Sequence, residues 1–331
     1  MQTKLQYTPT FDPQSIVSTK FSSIEVCAGA GGQALGLEQA GFHHVATVEI
    51  DKHACASLNA NRPEWNIYEE DINSWILTSA KQYQGVDLVA GGVPCPPFSV
   101  AGKQLGSEDE RDLFPAMISL VRIIKPRIVL IENVRGLLDR KFDAYRNQVN
   151  QAFEQIGYTL AWQLVHASEY GVPQLRPRVV AVGLPSSMAT SYAFPNPISL
   201  TPPTVGEALH DLMSARGWLL ADEWAKKADK IAPTIVGGSK KHGGPDLGPT
   251  RARKAWLDLG VDGRTIALEA PEADFQGNPR LTVRMVARLQ GFPDSWQFIG
   301  AKTNAYRQVG NAFPPPVARA IGASMVQALT G

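Results

Sequence analysis

Ser23-Ile24-Glu25-Val26-Cys27-Ala28-Gly29-Ala30-Gly31-Gly32-Gln33-Ala34 sets out the fold in miniature: a β-prone run, a turn rich in glycine, and the start of a helical pattern that continues to Ala40. Glycines at such a turn allow close backbone approach, and the helix amino terminus beyond them offers free N–H groups. Twenty residues after Gly29, Glu49 ends a second apolar run, placed to accept hydrogen bonds from both hydroxyls of a ribose. A nicotinamide dinucleotide fits this pattern as well as any other adenosine ligand, and so does a tight turn that binds nothing.

Outward from this unit the same alternation repeats. Strands are expected at Ser23–Val26, Val45–Glu49, Asn66–Tyr68, Val86–Ala90, Arg127–Ile131, Leu160–Val165 and Val179–Leu184, with helices at Gln33–Ala40, Lys52–Asn61, Leu113–Ile124 and Ala144–Ile156. That is the signature of an α/β doubly wound, mostly parallel sheet, in which ligands bind beyond the carboxyl ends of the strands. After Leu184 the alternation stops, and prolines, glycines and tryptophans follow in irregular order, which marks a smaller inserted domain. Leu281–Gly291 returns to helical periodicity with a glycine stop, and an apolar helix at Val317–Leu329 is expected to pack back on the large domain.

Composition narrows the class. The 331 residues are 44% hydrophobic and 19% charged with a net charge of +1, so any nucleic-acid surface has to be local. Three cysteines, Cys27, Cys55 and Cys95, lack metal-ligand spacing and suggest free thiols in a reducing compartment. The first twenty residues are polar without a signal-peptide pattern, and no apolar stretch is long enough to cross a bilayer, so a cytoplasmic protein without metal or membrane association is expected.

Candidate site residues cluster at predicted strand ends. Gly91-Gly92-Val93-Pro94-Cys95-Pro96-Pro97 follows a buried-strand pattern, and its prolines hold the thiol of Cys95 on a stiff loop instead of packing it inside an element. The loop from Ser99 to Arg111 has the composition of a lid, or of a solvated linker. Glu132 ends four consecutive apolar residues, where desolvation raises a carboxyl pKa toward that of a general acid; a cap or an ion pair is the competing reading. Arg176 and Arg178 lie on one side of an extended segment, suited to gripping a carbonyl oxygen, a phosphate or a carboxylate. Asp71-Ile72 follows the third strand and suits an adenine amino group and ring face, although an ordinary helix cap serves Asp71 equally well. Further on, the β-prone Ile231–Val236 leads into a glycine-rich basic segment. In it Thr234, Gly237, Gly238, Ser239, Lys240 and Lys241, with Arg251 and Arg253 beyond, suit contacts to DNA phosphates and base edges.

The order of these motifs resembles the DNA (cytosine-5)-methyltransferase family, from Phe21 to Gly322. Ala28–Gly32 resembles its methyl-donor loop, Val93-Pro94-Cys95 its nucleophile motif, and Glu132-Asn133-Val134 its acid motif. Gln174–Arg178 resembles the glutamine-arginine-arginine motif, and Arg288–Pro293 with Gly310-Asn311 the closing pair. The resemblance implies methyl transfer from S-adenosylmethionine, leaving S-adenosylhomocysteine, to carbon 5 of a flipped-out cytosine in double-stranded DNA. Cys95 would be the nucleophile and Glu132 the acid, with Arg178, helped by Arg176, on the base's carbonyl oxygen. It implies a donor site of Cys27, Ala28, Gly29, Ala30, Gly31, Gly32, Glu49, Ile50, Asp71, Ile72, Gly92, Pro94, Leu113, Asn311 and Ala312, and DNA contacts from Ser99, Lys103 and Gln104 of the lid. Cys27 stands where the family has phenylalanine, and Ile50 where a large residue follows the acidic one, so looser donor binding is expected. Pro96 replaces a glutamine, which bears on a DNA contact and not on the thiol.

The implied organisation is an extension over 1–20, a catalytic domain over 21–190 and 304–331, and a target-recognition domain over 191–303. A bacterial or phage monomer is expected, with a cognate restriction endonuclease as its cellular partner. The alternative from another class is an NAD-dependent dehydrogenase, motivated by Gly29-Ala30-Gly31 and Glu49. It leaves the Cys95 loop and the basic insert without a purpose.

Overall fold

A computed structural model describes residues 21–94, 112–198, 201–238 and 244–331. Seven strands form one sheet: β1 (Phe21–Val26), β2 (Phe42–Glu49), β3 (Ile67–Glu69), β4 (Leu88–Gly91), β5 (Ile128–Val134), β6 (Tyr158–His166) and β7 (Pro177–Pro185). Their order across the sheet is β3-β2-β1-β4-β5-β7-β6. The pairs among β1 to β5 are parallel, while β7 runs antiparallel to both β5 and β6. Every expected strand is present, and the single reversed strand accounts for "mostly" parallel. After β3 the chain crosses back to lay β4 on the other side of β1, so a crevice opens beyond the carboxyl ends of β1 and β4. The β1–β4 register pairs Val26 with Gly91 and thereby sets the glycine turn beside Gly92-Val93-Pro94.

The period-two alternation of the strands divides the core in two. Ile24, Val26, Val89, Val129 and Ile131 face a layer built from α3 (Ile72–Thr78), α4 (Phe114–Ile124) and α5 (Asp143–Gln155). Their alternates Leu88, Ala90, Ile128, Leu130, Val180 and Val182 face α1 (Gly32–Gln39) and α11 (Pro315–Thr330). α1 and α11 meet at backbone distance: a Cβ on Gly36 would stand 2.3 Å from the Pro315 carbonyl oxygen, and one on Gly322 2.6 Å from the Ala40 Cβ. The expected return of the last helix to the large domain is therefore observed, and α2 (Lys52–Asn61) completes the crossovers.

The irregular region holds more helix than its composition suggested, α6 (Val205–Met213), α7 (Ala221–Lys227) and α8 (Thr250–Asp258), and the helix expected after it is present as α9 (Val283–Leu289). They surround a third core with Trp218, Trp224 and Trp256, joined by Leu35 of α1, Leu58 of α2, and Tyr306 and Val309 of α10 (Lys302–Asn311). Arg288 braces it, its guanidinium meeting both Asp211 and Asp294. The β-prone Ile231–Val236 makes one bridge, Ala232 to Gln174, and no strand, because the backbone N–H and C=O groups around it bond to side chains and to isolated neighbours instead of a ladder. Among the described residues no helix is long and apolar enough to cross a membrane.

Candidate active site

The turn after β1 is shaped by left-handed backbone. Cys27 has φ 52°, Gly29 54° and Gly31 86°; Cys27, as a residue with a Cβ, holds this conformation at a cost that glycine avoids. The turn aims the Gly29 N–H at Glu49, which accepts it through Oε2 at 2.7 Å and accepts the Asp51 N–H through Oε1 at 2.8 Å. Burial pushes the Glu49 carboxyl upward, and the two N–H donors oppose that shift. Both oxygens keep a lone pair for a further donor.

Between this turn, the end of β4 and α10 lies a cavity of about 250 Å³. Of the expected donor-site residues, Cys27, Ala28, Gly29, Glu49, Gly92, Asn311 and Ala312 line it. The others stand elsewhere. A Cβ on Gly31 would meet Leu58 at 2.7 Å and Trp296 at 3.0 Å, and one on Gly32 would meet the Phe313 carbonyl oxygen at 2.3 Å, so protein fills the space beside both. Ala30 is buried and its carbonyl accepts the Trp296 indole N–H at 3.0 Å. Only the front of the glycine turn thus faces the cavity, while its back is a seat for Trp296 and Phe313. Ile50 is exposed. Asp71 caps α3, accepting the Asn73 N–H at 2.9 Å, and Ile72 is buried in the core beneath. Pro94 is exposed and accepts the Leu113 N–H at 3.2 Å, and Leu113 leans on the same core.

Glu132, near the end of β5, shares the cavity. Arg178 Nε donates to its Oε1 at 2.9 Å, with both side chains nearly buried. Burial drives the Glu132 carboxyl up, and Arg178, then Arg176, hold it back. Gly92 leaves Glu132 room: a Cβ there would stand 3.2 Å from Glu132 Oε2 and crowd it. Asn133 donates to the Val93 carbonyl at 2.8 Å and so fixes the strand exit that leads into Cys95.

Arg176 departs from expectation. It is fully buried, and its Nη atoms donate to the carbonyls of Ile235 at 2.7 Å, Gly310 at 2.9 Å and Ala312 at 2.9 Å. Those donors bind chain, not substrate, because the loops at 235 and 310–312 converge where an open carbonyl site was expected. Gln174 extends the brace: it accepts the Ile235 N–H at 2.9 Å and donates to Gln290 at 2.5 Å.

Cys95, Ser99, Lys103, Gln104, Ser239, Lys240 and Lys241 lie outside the described residues. Among the remaining DNA candidates, the Thr234 hydroxyl donates to the Leu175 carbonyl. Gly237 is buried, and a Cβ on it would lie 2.5 Å from Asn311 Oδ1, so close packing on α10 explains this glycine without DNA. The Gly238 carbonyl accepts from Asn311 Nδ2 at 3.2 Å. Arg251 and Arg253 stand on α8, the first exposed and the second half-buried.

Several cavity residues carry no motif signal. Asn304, Arg307 and Gln308 form one face of α10 toward the cavity together with the motif residue Asn311, a spacing of three and four residues that shows this face once the helix is recognised. Glu25 and Gln33 line it too, and in sequence they read as an ordinary strand residue and an ordinary helix residue.

A model of the C-5 cytosine-specific DNA methylase family matches residues 21–327. The chain belongs to the C-5 cytosine-specific DNA methylase family. It is 53% identical over 309 residues to the type II methyltransferase M.NaeI of Lentzea aerocolonigenes, covering 92% of this chain and 75% of that protein. It is 52% identical over 314 residues to M.NgoMIV of Neisseria gonorrhoeae, covering 94% and 98%. In fold it is similar to an Escherichia coli prophage protein described as a DNA modification methyltransferase, with TM-score 0.66, 24% identity and coverage of 94% and 100%. It is likewise similar to the Dnmt2 methyltransferase of S. pombe, with TM-score 0.63, 16% identity and the same coverages. Membership of the DNA methylase family over nearly the whole chain removes the support for a dehydrogenase, whose motivating glycines are here half occupied by protein.

Proposed function

We propose that the protein transfers a methyl group from S-adenosylmethionine to carbon 5 of a flipped-out cytosine in a specific double-stranded DNA sequence, through a covalent bond from Cys95 to carbon 6. The observation that carries this reading is the shared cavity: the glycine turn with Glu49, the Gly92 exit toward Cys95, and Glu132, held from behind by Arg178, all border it. The donor fits on two counts. A Cβ on Gly29 would meet nothing within 4 Å, so that turn leaves room, and Glu25 Oε2 with both amide atoms of Gln33 are buried without hydrogen-bond partners among the described residues. Glu49 would hold the ribose and Asn311 the opposite wall. Bound there, the donor supplies an electrophilic methyl on a sulfonium.

The chain's own residues supply the rest. Cys95 thiolate forms a bond to carbon 6, and the electron pair of the ring double bond moves to carbon 5 as Glu132 protonates ring N3. Carbon 5 then takes the methyl, a base removes its proton, and the returning electron pair expels the thiolate as N3 gives its proton back to Glu132. Arg178 keeps Nη2 for the base's carbonyl oxygen, its Nε and Nη1 being held by Glu132 and the Pro177 carbonyl. Arg176 acts at one remove, by locking the loops behind the site. Residues 191–303 would read the DNA sequence, and a type II restriction-modification system is the setting that the names of the relatives support.

DNA containing 5-fluorocytosine tests this, because fluorine at carbon 5 blocks the release step. A covalent protein–DNA complex that forms only with S-adenosylmethionine and is absent in Cys95→Ala is the expected result. A complex formed by the alanine variant, or none in the native protein, would remove the thiol mechanism.

A further inference from the structure

We infer that Leu175, seated with Val134 and Val236 on the rim of the site, is an apolar wedge that packs against the base faces uncovered when the target cytosine leaves the duplex. This rests on the methyl-transfer reading above and assigns a DNA contact to a side chain that the motifs pass over. Leu175 is 48% exposed, whereas Gln174 and Arg176 on either side of it are fully buried. Alternation along an extended segment sends its side chain the opposite way from theirs, out of the protein. The backbone that carries it is fixed. Its N–H donates to the Ala232 carbonyl at 2.7 Å, and its carbonyl accepts the Thr234 hydroxyl. Gln174 holds the Ile235 N–H and Arg176 the Ile235 carbonyl. An exposed leucine on so firmly held a backbone stays in water until a partner covers it.

The sheet places this leucine beside the chemistry. Arg178, three residues on, pairs in register with Val134 at the end of β5 and binds Glu132. Asn133 holds the Val93 carbonyl, so the chain bound for Cys95 leaves the sheet beside Val134. The grip of Gln174 and Arg176 on Ile235 puts Val236 next along the same edge. Val134 is 41% exposed and Val236 45%, so three apolar side chains stand in water around the place where the base must enter. Single exposed apolar residues are ordinary, but three on one rim mark a contact surface. The reaction and the charge identify what covers it. A cytosine reaches Glu132 and Arg178 only by leaving the stack, which bares apolar base faces at this rim, and leucine is among the side chains that proteins insert at such steps. Cations flank the rim for the phosphates: Arg135 next to Val134 is exposed, and so is Arg251 on α8, whose approach passes Val236, since a Cβ on Gly248 would stand 3.8 Å from Val236 Cγ2.

Bisulfite sequencing of DNA from cells expressing the protein locates the methylated site, and three duplexes are then titrated with the full chain and S-adenosylhomocysteine. One carries the site, one carries it with an abasic position in place of the target cytosine, and one has an unrelated sequence. Leu175→Ala should bind the first two about fivefold more weakly than the native protein, in line with the burial of half a leucine side chain, and the third equally well. Leu175→Met should keep the native affinities, and thermal midpoints should be unchanged in both variants because the side chain is exposed. Native affinity of Leu175→Ala for the site overturns the assignment. So does an equal loss on the unrelated duplex, where no base has left the stack, and so does a loss that vanishes on the abasic duplex, since the leucine would then touch the extruded base itself. If the cells show no methylated cytosine and the native protein prefers no duplex, the methyl-transfer reading fails, whereas native selectivity that Leu175→Ala retains sinks this inference alone.

Discussion

Glu132 is pulled in two directions, upward by burial and downward by the Arg178 guanidinium at 2.9 Å. A carboxyl held between these influences can carry a proton to a ring nitrogen and lose it again. Glu132→Gln keeps the shape and removes the proton, so single-turnover methylation should slow by at least about a hundredfold with DNA affinity unchanged. His44 illustrates burial acting alone on stability. Its ring lies between the Ser23 hydroxyl at 2.9 Å and the Ala34 carbonyl at 2.8 Å, and burial lowers its pKa to about 4 against the partial opposition of that carbonyl. The unfolded chain therefore binds this proton first as pH falls. The His44 contribution is whole above about pH 6.5 and declines by about 3 kcal/mol on the way down to pH 4. Urea midpoints at pH 7.5 and 5.0 should show the loss, and His44→Gln should flatten that part of the profile. Of these residues Glu132 was legible in sequence, because a carboxyl after four apolar residues breaks a pattern. Glu25 was not, since an acidic residue within a strand alternation looks solvent-facing until the helices covering that face are placed.

At the level of elements, the apolar runs revealed all seven strands, and one helix that escaped notice, α3, is short and interrupted by polar residues. α3 spans only Ile72 to Thr78, with Asn73, Ser74 and Thr78 diluting its buried positions Ile72, Trp75 and Ile76. Asp71 is its cap, and this sets a direct contest between the two readings of that residue. Asp71→Ala should destabilise the protein by about 1 kcal/mol, and Asp71→Ser, whose hydroxyl also caps, should restore most of it. Donor affinity measured on the same two variants should stay low in both if the carboxylate also holds the adenine amino group, and should recover in Asp71→Ser if capping is its whole task. α10 was hidden by Gly310 in its final turn, a glycine that Gly237 makes necessary, since a Cβ on Gly310 would stand 2.5 Å from the Gly237 Cα.

Across the whole molecule the links that assemble the site join residues far apart in the chain. Arg176 ties Ile235 to Gly310 and Ala312, Trp296 seats the back of the glycine turn, and Leu35 of α1 belongs to the same core as Trp256. Such links leave no local signature, which is why Arg176 looked like a substrate contact. Arg176→Met should leave three carbonyls without their donor and cost about 3 kcal/mol in denaturant unfolding, beyond any effect on turnover.

The backbone contact between α1 and α11 has a consequence for how the protein is made. Val317, Ile321, Met325 and Leu329 bury their side chains in the core shared with α1, each contributing about 1.5–3 kcal/mol. A nascent polypeptide can extrude β1 and the whole sheet, yet the face of its first helix that packs on α11 stays uncovered until α11 clears the ribosomal exit tunnel. Stalled chains with α11 still inside the tunnel should be cleaved by protease within the glycine turn and should fail to retain S-adenosylhomocysteine, so that competence to methylate arrives only once α11 has emerged.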